Sequence, residues 1–247
     1  MLVGLRRIIS HWLASFLSKS LPGYTRLDTI SIEEIAAIME PGDILLVEGN
    51  TRISIAIKYL TQSSWSHACL YVGEPGSPSS MATLLEADLK NGVRMVSLDH
   101  YAEFNLRICR PINLDEGDRR KIIEFAKSKL GHKYDLKNVF DLVRYLIQKP
   151  PVPTHLRRSL IAFGSDEPTR AICSTLIAEA FQVINYPILP RRGDDIGHKG
   201  EVPQYYMRHF THYTPRDFDL SPYFAVIKPT LEKGFDYRNF PWQSDRA

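Results

Sequence analysis

Five short segments between residues 44 and 110 limit the folds open to this chain more than any other feature of its sequence. Each is rich in apolar residues and is short enough for one β-strand. Turn residues separate the segments, and Asn91-Gly92 is a strong hairpin signal. Because short connections join antiparallel neighbours, the pattern predicts a central antiparallel sheet. The segments are residues 44–47, 65–72, 84–87, 93–98 and 105–110.

Helical spacing of apolar residues occurs between and after these strands. Ser31-Ile-Glu-Glu34 has the spacing of a capping box and predicts the start of a helix that runs to Met39. Residues 51–62 and 136–147 also read as helices, and residues 115–130 have acidic residues early and a glycine at the end. Together with the predicted sheet, these helices give an α+β fold.

Composition excludes several functional classes. The chain has 247 residues, of which 44% are hydrophobic and 24% charged, so it can bury a substantial core. A net charge of +3 is too small to predict binding to nucleic acid. Three cysteines in unrelated contexts predict no disulfide framework. We expect reduced thiols, as in the cytoplasm or at its membrane face, although a reactive thiol is also compatible with export.

No metal or cofactor is expected from the sequence. It contains no CxxC pair and no Cys/His cluster with the spacing of metal ligands. Asp194, Asp195 and His198 share a glycine-rich loop, residues 193–200. Side chains in such a loop are usually solvated, so these three do not predict a metal site.

A predicted helix at residues 170–181 carries the residue of greatest chemical interest. Pro168 and Thr169 precede it as helix-start signals, so Cys173 falls in the first turn. Unpaired N–H groups and the helix dipole there favour an anion, which for a cysteine is the thiolate. A free cysteine in an apolar helix is more often a buried structural residue. Catalysis would need a base and a group that orients the base.

His67 and Glu86, on two predicted strands, would supply those groups, since cysteine, histidine and a carboxylate are the parts of a thiol-hydrolase triad. Cys69 is the rival nucleophile because it is close to His67 in sequence. Residues two apart on one strand stand side by side, about 6–7 Å apart. A nucleophile and its base must instead converge, and we therefore expect Cys69 to be a core residue.

Five motifs follow one order between residues 40 and 190. This order resembles the circularly permuted branch of the NlpC superfamily, papain-like cysteine hydrolases of the YiiX/YebB-like kind, with lecithin:retinol acyltransferases as more distant relatives. The resemblance implies a papain-like fold whose central antiparallel sheet packs against helices, one of which starts at the catalytic cysteine. The motifs are PGDILLVEG (41–49), SSWSHACLYVG (63–73), LLEA (84–87), GHKYD (131–135) and ICSTLIAEAF (172–181).

The resemblance also implies roles for individual residues. Cys173 would be the nucleophile, His67 the base and Glu86 the carboxylate that orients the imidazole. Tyr134 and Ser174 are candidates for binding the substrate or the oxyanion, and a tyrosine packed in the core is the alternative for Tyr134. Backbone N–H groups at the start of the cysteine helix would complete an oxyanion hole.

In residues 1–20 the apolar residues fall largely on one side of a helix and the basic and polar residues on the other, a pattern typical of a helix that lies in a membrane interface. A helix packed on the domain or on a partner chain and a weak signal peptide are the alternatives, and the segment is too short to span a bilayer. The predicted organisation is an N-terminal helix and linker (1–22), a hydrolase domain (23–232, with an insertion at about 148–168) and a tail (233–247).

The function predicted from these residues is cleavage of an amide or ester bond through an acyl-thioester, by hydrolysis or by acyl transfer. An acyl- or lipid-linked substrate is favoured, with peripheral membrane contact through the N-terminal helix. Three alternatives remain at this stage. They are a cell-wall peptide amidase or endopeptidase, a non-catalytic membrane-associated binding module, and an adaptor that recruits a partner through its first residues.

Overall fold

The computed structural model describes residues 16–20, 22–27, 30–88, 91–133, 172–192 and 205–228. Their helices are α1 (Ile32–Ile38), α2 (Arg52–Thr61), α3 (Glu116–Ser128), α4 (Ile172–Gln182) and α5 (Pro215–Leu220), with 3₁₀ turns at Leu98–Tyr101 and Phe210–His212. Their strands are β1 (Ile44–Val47), β2 (His67–Tyr71), β3 (Thr83–Asp88), β4 (Gly92–Ser97), β5 (Leu106–Pro111), β6 (Arg191–Arg192), β7 (Tyr205–Tyr206) and β8 (Phe224–Ile227).

The main sheet is antiparallel throughout. Its strand order is β4-β3-β2-β1-β5-β8, and β6 pairs separately with β7. The central strand β1 is buried along its whole length, which is why all four of its residues are aliphatic. The α+β class and the central antiparallel sheet predicted from the sequence are confirmed.

The sheet separates two hydrophobic cores, because successive residues of a strand point to opposite faces. Ala68 and Leu70 of β2 pack on one side with α3, α4 and α5. Cys69 and Tyr71 pack on the other side with α1 and the 3₁₀ turn at Leu98–Tyr101. The alternation predicted for this strand is therefore observed, and helices cover both faces of the sheet.

Local capping signals set the starts of two predicted helices. The Ser31 hydroxyl accepts a hydrogen bond from the Glu34 N–H, and the Glu34 carboxylate accepts one from the Ser31 N–H, which completes the capping box before α1. The Asp115 carboxylate accepts a hydrogen bond from the Asp118 N–H at the start of α3. Both helix starts confirm the sequence prediction.

The hairpin between β3 and β4 positions one side of the candidate site. Gly92 has a φ of 73°, a left-handed conformation that glycine adopts without strain. A Cβ at this position would lie 2.3 Å from the carbonyl oxygen of His132, so the chain after α3 packs directly on the hairpin. The register that follows places Glu86 opposite Arg94.

Several features of the C-terminal part were not predicted from the sequence. They include β7 and α5, although Thr214 and Asp217 form a capping box and Pro215 occupies the first helical position of α5. The predicted helix at 136–147, the insertion at 148–168 and residues 1–15 lie outside the described residues. In the described ranges, no helix is both long and apolar enough to cross a membrane.

Candidate active site

The start of α4 reaches the sheet at the point where β2 and β3 separate. The two strands pair only at Leu70 and Tyr71 of β2, so Ala68 has no partner residue on β3. Its backbone N–H instead donates a hydrogen bond to the sulfur of Cys173. Cys173 is the second residue of α4, in the first turn as predicted, and it is buried. Pro168 and Thr169 lie outside the described residues. The opening between the strands therefore brings the thiol next to the residue that begins β2.

That residue is His67, and it lies between the predicted nucleophile and the predicted carboxylate. Its ring hydrogen-bonds with the side chain of Cys173. Its Nε2 lies 2.7 Å from Oε2 of Glu86. The imidazole is about one quarter exposed, whereas Glu86 is 3% exposed. The structure thus brings together the three side chains that the sequence resemblance named.

Two further side chains, which sequence reasoning missed, hold Glu86. Arg94 Nε donates to Oε1 of Glu86 at 2.8 Å, and the Tyr101 hydroxyl donates to Oε2. Arg94 could have been found by counting back across the Asn91-Gly92 hairpin, which pairs it with Glu86. Tyr101 follows β4 in a 3₁₀ turn and gives no periodic signal.

The position of Cys69 corrects one argument made from the sequence. Cys69 is fully buried, as expected of a core residue. Its thiol nevertheless converges with His67, with which it hydrogen-bonds, and it lies 3.4 Å from the Tyr101 hydroxyl. Two side chains on one face of a strand can lean together, even though their backbone positions are about 6–7 Å apart. Cys69 is therefore part of the polar network.

The carboxyl of Glu86 is strongly acidic in this setting. Burial alone would favour its neutral form, but hydrogen bonds from His67 and Tyr101, with the charges of His67 and Arg94, lower its pKa to about 2. Glu86 is consequently an anion throughout the neutral range. It accepts hydrogen bonds and stabilises a positive charge on the imidazole.

The two thiols beside His67 have opposite pKa shifts. Burial works against the Cys173 thiolate, but the charge and hydrogen bond of His67 and the Ala68 N–H outweigh it, and the pKa of Cys173 is lowered. Burial dominates at Cys69, whose pKa is raised with help from the charge of Glu86. Burial also opposes protonation of His67, yet its charge and hydrogen-bond interactions with Cys173, the ionised neighbour, raise its pKa well above the ordinary value. The favoured charge state is a Cys173 thiolate beside a His67 imidazolium.

Of the two residues proposed to bind the substrate or the oxyanion, the structure describes Ser174 but not Tyr134. Ser174 is fully buried, and its Oγ lies 3.9 Å from Cys173 Sγ, so it contacts the thiol and lies away from solvent. Tyr134 lies outside the described residues. Thr175 is buried as well, and its hydroxyl has no hydrogen-bond partner among the described residues. The N–H of Cys173 is among the first four of α4, which have no acceptor within a helix.

One group of described side chains has the composition of a metal site, although the sequence predicted none. Ligand atoms of His67, Cys69 and Glu86 all lie within 4.8 Å of one another. Imidazole, thiolate and carboxylate are the ligands that Zn²⁺ takes in proteins. Here the same atoms are hydrogen-bonded to one another, so a metal ion would have to displace those contacts. The glycine-rich loop at 193–200 lies outside the described residues.

A family comparison agrees with the sequence resemblance. Residues 38–145 match the family described as "Permuted papain-like amidase enzyme, YaeF/YiiX, C92 family". The match includes the strands that carry His67 and Glu86, whereas Cys173 lies beyond its end. It supports the interpretation of the chain as a permuted papain-like cysteine hydrolase of the amidase kind. The wider kinship with the NlpC superfamily and with lecithin:retinol acyltransferases stays a prediction.

Comparison with solved structures includes the crystal structure of metalloprotein yiiX from Escherichia coli O157:H7. The two share 16% sequence identity, and the alignment covers 76% of this chain and 96% of that chain with a TM-score of 0.47. No curated protein matches the chain at a significant level.

Proposed function

We propose that this chain, similar over residues 38–145 to permuted papain-like amidases, is a cysteine hydrolase that cleaves an amide or ester bond through an acyl-thioester. The observation that carries the proposal is the position of one imidazole, His67, between the Cys173 thiol and the Glu86 carboxylate. A nucleophile, its base and an orienting group in contact are the elements of covalent acyl transfer.

The acylation step begins with the Cys173 thiolate. Its sulfur attacks the carbonyl carbon of the substrate and forms a tetrahedral intermediate with a negative oxygen. Backbone N–H groups in the first turn of α4, including that of Cys173, stabilise this oxyanion, and such a donor contributes about 3 kcal/mol in well-formed sites. His67 then gives its proton to the leaving nitrogen or oxygen as the bond to carbon breaks. The product is an acyl-thioester on Cys173.

The deacylation step uses the same residues in reverse. Neutral His67 takes a proton from a water molecule, whose oxygen attacks the thioester carbon. The carbon–sulfur bond breaks, the carboxylic acid leaves, and the thiolate and imidazolium form again. Glu86 stays ionised throughout and stabilises the imidazolium each time it appears. An alcohol or amine in place of water would make the reaction an acyl transfer.

The substrate class we propose is an acyl- or lipid-linked amide or ester. The support is the amphipathic pattern of residues 1–20, which is typical of a helix in a membrane interface and would bring the enzyme to such substrates. Peripheral membrane contact is part of this proposal. It can be tested by sedimentation of the full chain with anionic vesicles, where Arg6→Glu with Arg7→Glu should reduce binding. Equal sedimentation of both proteins would remove the support.

A second candidate substrate is a cell-wall peptide, the alternative that the resemblance to the NlpC superfamily implies. Its bonds are amides, which fits a matching family described as amidases. A panel of three compounds distinguishes the candidates: a dodecanoyl anilide, an acetyl anilide and a peptidoglycan stem peptide. We expect faster release from the dodecanoyl compound. Faster cleavage of the stem peptide would contradict the acyl assignment and leave the hydrolase intact.

The experiment that tests the hydrolase itself is intact-mass measurement of the acyl-enzyme. Wild-type protein mixed with an activated acyl ester should gain one acyl group on Cys173, and this mass should disappear as the free acid forms. Cys173→Ala should gain none and release no acid above background. Absence of an adduct and of turnover in the wild type would contradict the proposal and favour a non-catalytic binding module.

A further inference from the structure

We infer that Arg94 and Tyr101 are positioning residues of this site, which fix the carboxylate of Glu86 so that it holds His67 toward Cys173. This inference rests on the proposed function and extends it beyond the triad. Arg94 faces Glu86 from β4 in direct register, and Tyr101 ends the 3₁₀ turn that follows β4. One segment of chain, residues 92–101, therefore delivers both groups.

The two oxygens of Glu86 have separate donors. Oε1 accepts a hydrogen bond from Arg94 Nε at 2.8 Å, and a second guanidinium nitrogen lies 2.8 Å from Glu86. Oε2 accepts from the Tyr101 hydroxyl and lies 2.7 Å from His67 Nε2. The terminal torsion of a glutamate is normally broad, so a carboxylate held at one oxygen alone can rotate. Held at both oxygens, Glu86 presents one fixed direction to the imidazole.

The charges around Glu86 also balance in pairs. A buried carboxylate without partners is costly, and Glu86 is 3% exposed. The Arg94 guanidinium balances the charge of Glu86, because two of its nitrogens contact the carboxylate. The His67 imidazolium then remains matched to the Cys173 thiolate. With Arg94 removed, the imidazolium would be the single cation between two anions, and the thiolate would lose part of its stabilisation.

Tyr101 also contacts Cys69, and the direction of that hydrogen bond follows from the single proton that a hydroxyl can donate. That proton is directed to Oε2 of Glu86. The Tyr101 oxygen can therefore only accept from Cys69, whose Sγ lies 3.4 Å away. In this arrangement the Cys69 thiol is the donor. Its pKa is raised by burial and by the charge of Glu86, and Cys173 is the thiolate.

The test is the pH dependence of alkylation by iodoacetamide, followed separately at Cys173 and Cys69 by mass spectrometry. The variants are Arg94→Met, Arg94→Lys and Tyr101→Phe. Arg120→Met and Tyr205→Phe are matched controls, since both residues are exposed. The groups that face Glu86 are His67 and Cys69 from β2, Arg94 from β4 and Tyr101 from the 3₁₀ turn, with the Cys173 thiol beyond His67. Near-ultraviolet circular dichroism reports whether each variant is folded.

We expect Arg94→Met to move the acid limb of the Cys173 profile upward by about one pH unit, which is about a tenfold loss of rate at a fixed pH on that limb. Arg94→Lys should lie between Arg94→Met and the wild type, because an ammonium supplies the charge without the planar fork. Tyr101→Phe should shift the limb less, because Arg94 still holds the other oxygen of Glu86. Both controls should coincide with the wild type.

If the pH dependence of Cys173 alkylation in Arg94→Lys and in Tyr101→Phe equals that of the wild type, the inference is overturned, independently of the result for Arg94→Met. This pair keeps the test valid if the methionine variant fails to fold. A wild-type protein in which Cys173 shows no reactivity at low pH is a different result. It would overturn the proposed function itself, before any positioning role is considered.

Discussion

Two buried thiols share one imidazole in this protein, and their surroundings decide which of them is ionised. Cys173 stands in the first turn of α4, where the His67 charge and the Ala68 N–H lower its pKa. Cys69 stands on β2 beside Glu86 and Tyr101, and its pKa is raised by burial and by the charge of Glu86. Strand geometry does not keep Cys69 away from His67. The two thiols differ instead in the charges and hydrogen bonds around them, which lower the pKa of Cys173 and raise that of Cys69.

At this scale the account predicts different outcomes for removing each thiol. Cys173→Ala should abolish acyl-enzyme formation, because no other ionised sulfur lies beside His67. Cys69→Ala should keep a rate of the same order as the wild type, with a loss of stability of about 1 kcal/mol for the removed buried group. Initial rates and urea unfolding measure both effects. A Cys69→Ala variant as inactive as Cys173→Ala would show that the nucleophile was assigned wrongly.

At the scale of elements, local signals predicted most strands and helices, while contacts between elements were less accessible. The capping box at Ser31 and the hairpin at Asn91-Gly92 depend only on neighbours in sequence, and both were predicted. The limited pairing of β2 with β3 and the proximity of Cys69 to His67 are contacts that no local pattern records. The hairpin register alone pairs Arg94 with Glu86, but an arginine is not one of the residue types that make up a thiol-hydrolase triad.

The β3–β4 hairpin gives a prediction about stability at this scale. Gly92→Ala should lower the free energy of unfolding by more than about 2 kcal/mol, because the new Cβ meets the His132 carbonyl oxygen in a left-handed backbone. Gly76→Ala is the control, since Gly76 has a similar φ of 71° and nothing within 4 Å of its Cβ position. Urea unfolding of the two variants separates steric contact from backbone strain. Equal losses would show that the contact with His132 contributes nothing.

At the scale of the whole molecule, helices on both faces of one sheet build the site at an opening in that sheet. His67, Glu86 and Tyr101 belong to the face covered by α1, whereas Cys173 arrives with α4, which packs on the opposite face. The site therefore assembles only when both layers are in place. Stability and catalysis are coupled through the same buried carboxylate.

This coupling predicts how global stability responds to acid. The pKa of Glu86 is about 2 in the folded protein, below its value in the unfolded chain, so its contribution is present above about pH 4.3 and is lost as the pH falls through the folded value. Wild-type stability should decrease over this range by on the order of 3 kcal/mol more than that of Glu86→Gln. Glu103→Gln, at an exposed carboxylate, is the control. Parallel pH profiles for wild type and Glu86→Gln would contradict the assigned role of Glu86.

The most direct test of the central claim is the rate of iodoacetamide alkylation at each cysteine as a function of pH, in wild type and in His67→Ala. In the wild type, Cys173 should react well below pH 8.5, the approximate pKa of a free thiol. Cys109, whose pKa burial raises to about 12, and Cys69 should stay inert. His67→Ala should lose the low-pH reactivity of Cys173. The same Cys173 profile with and without His67, or three cysteines that behave alike, would show that the pair is not catalytic.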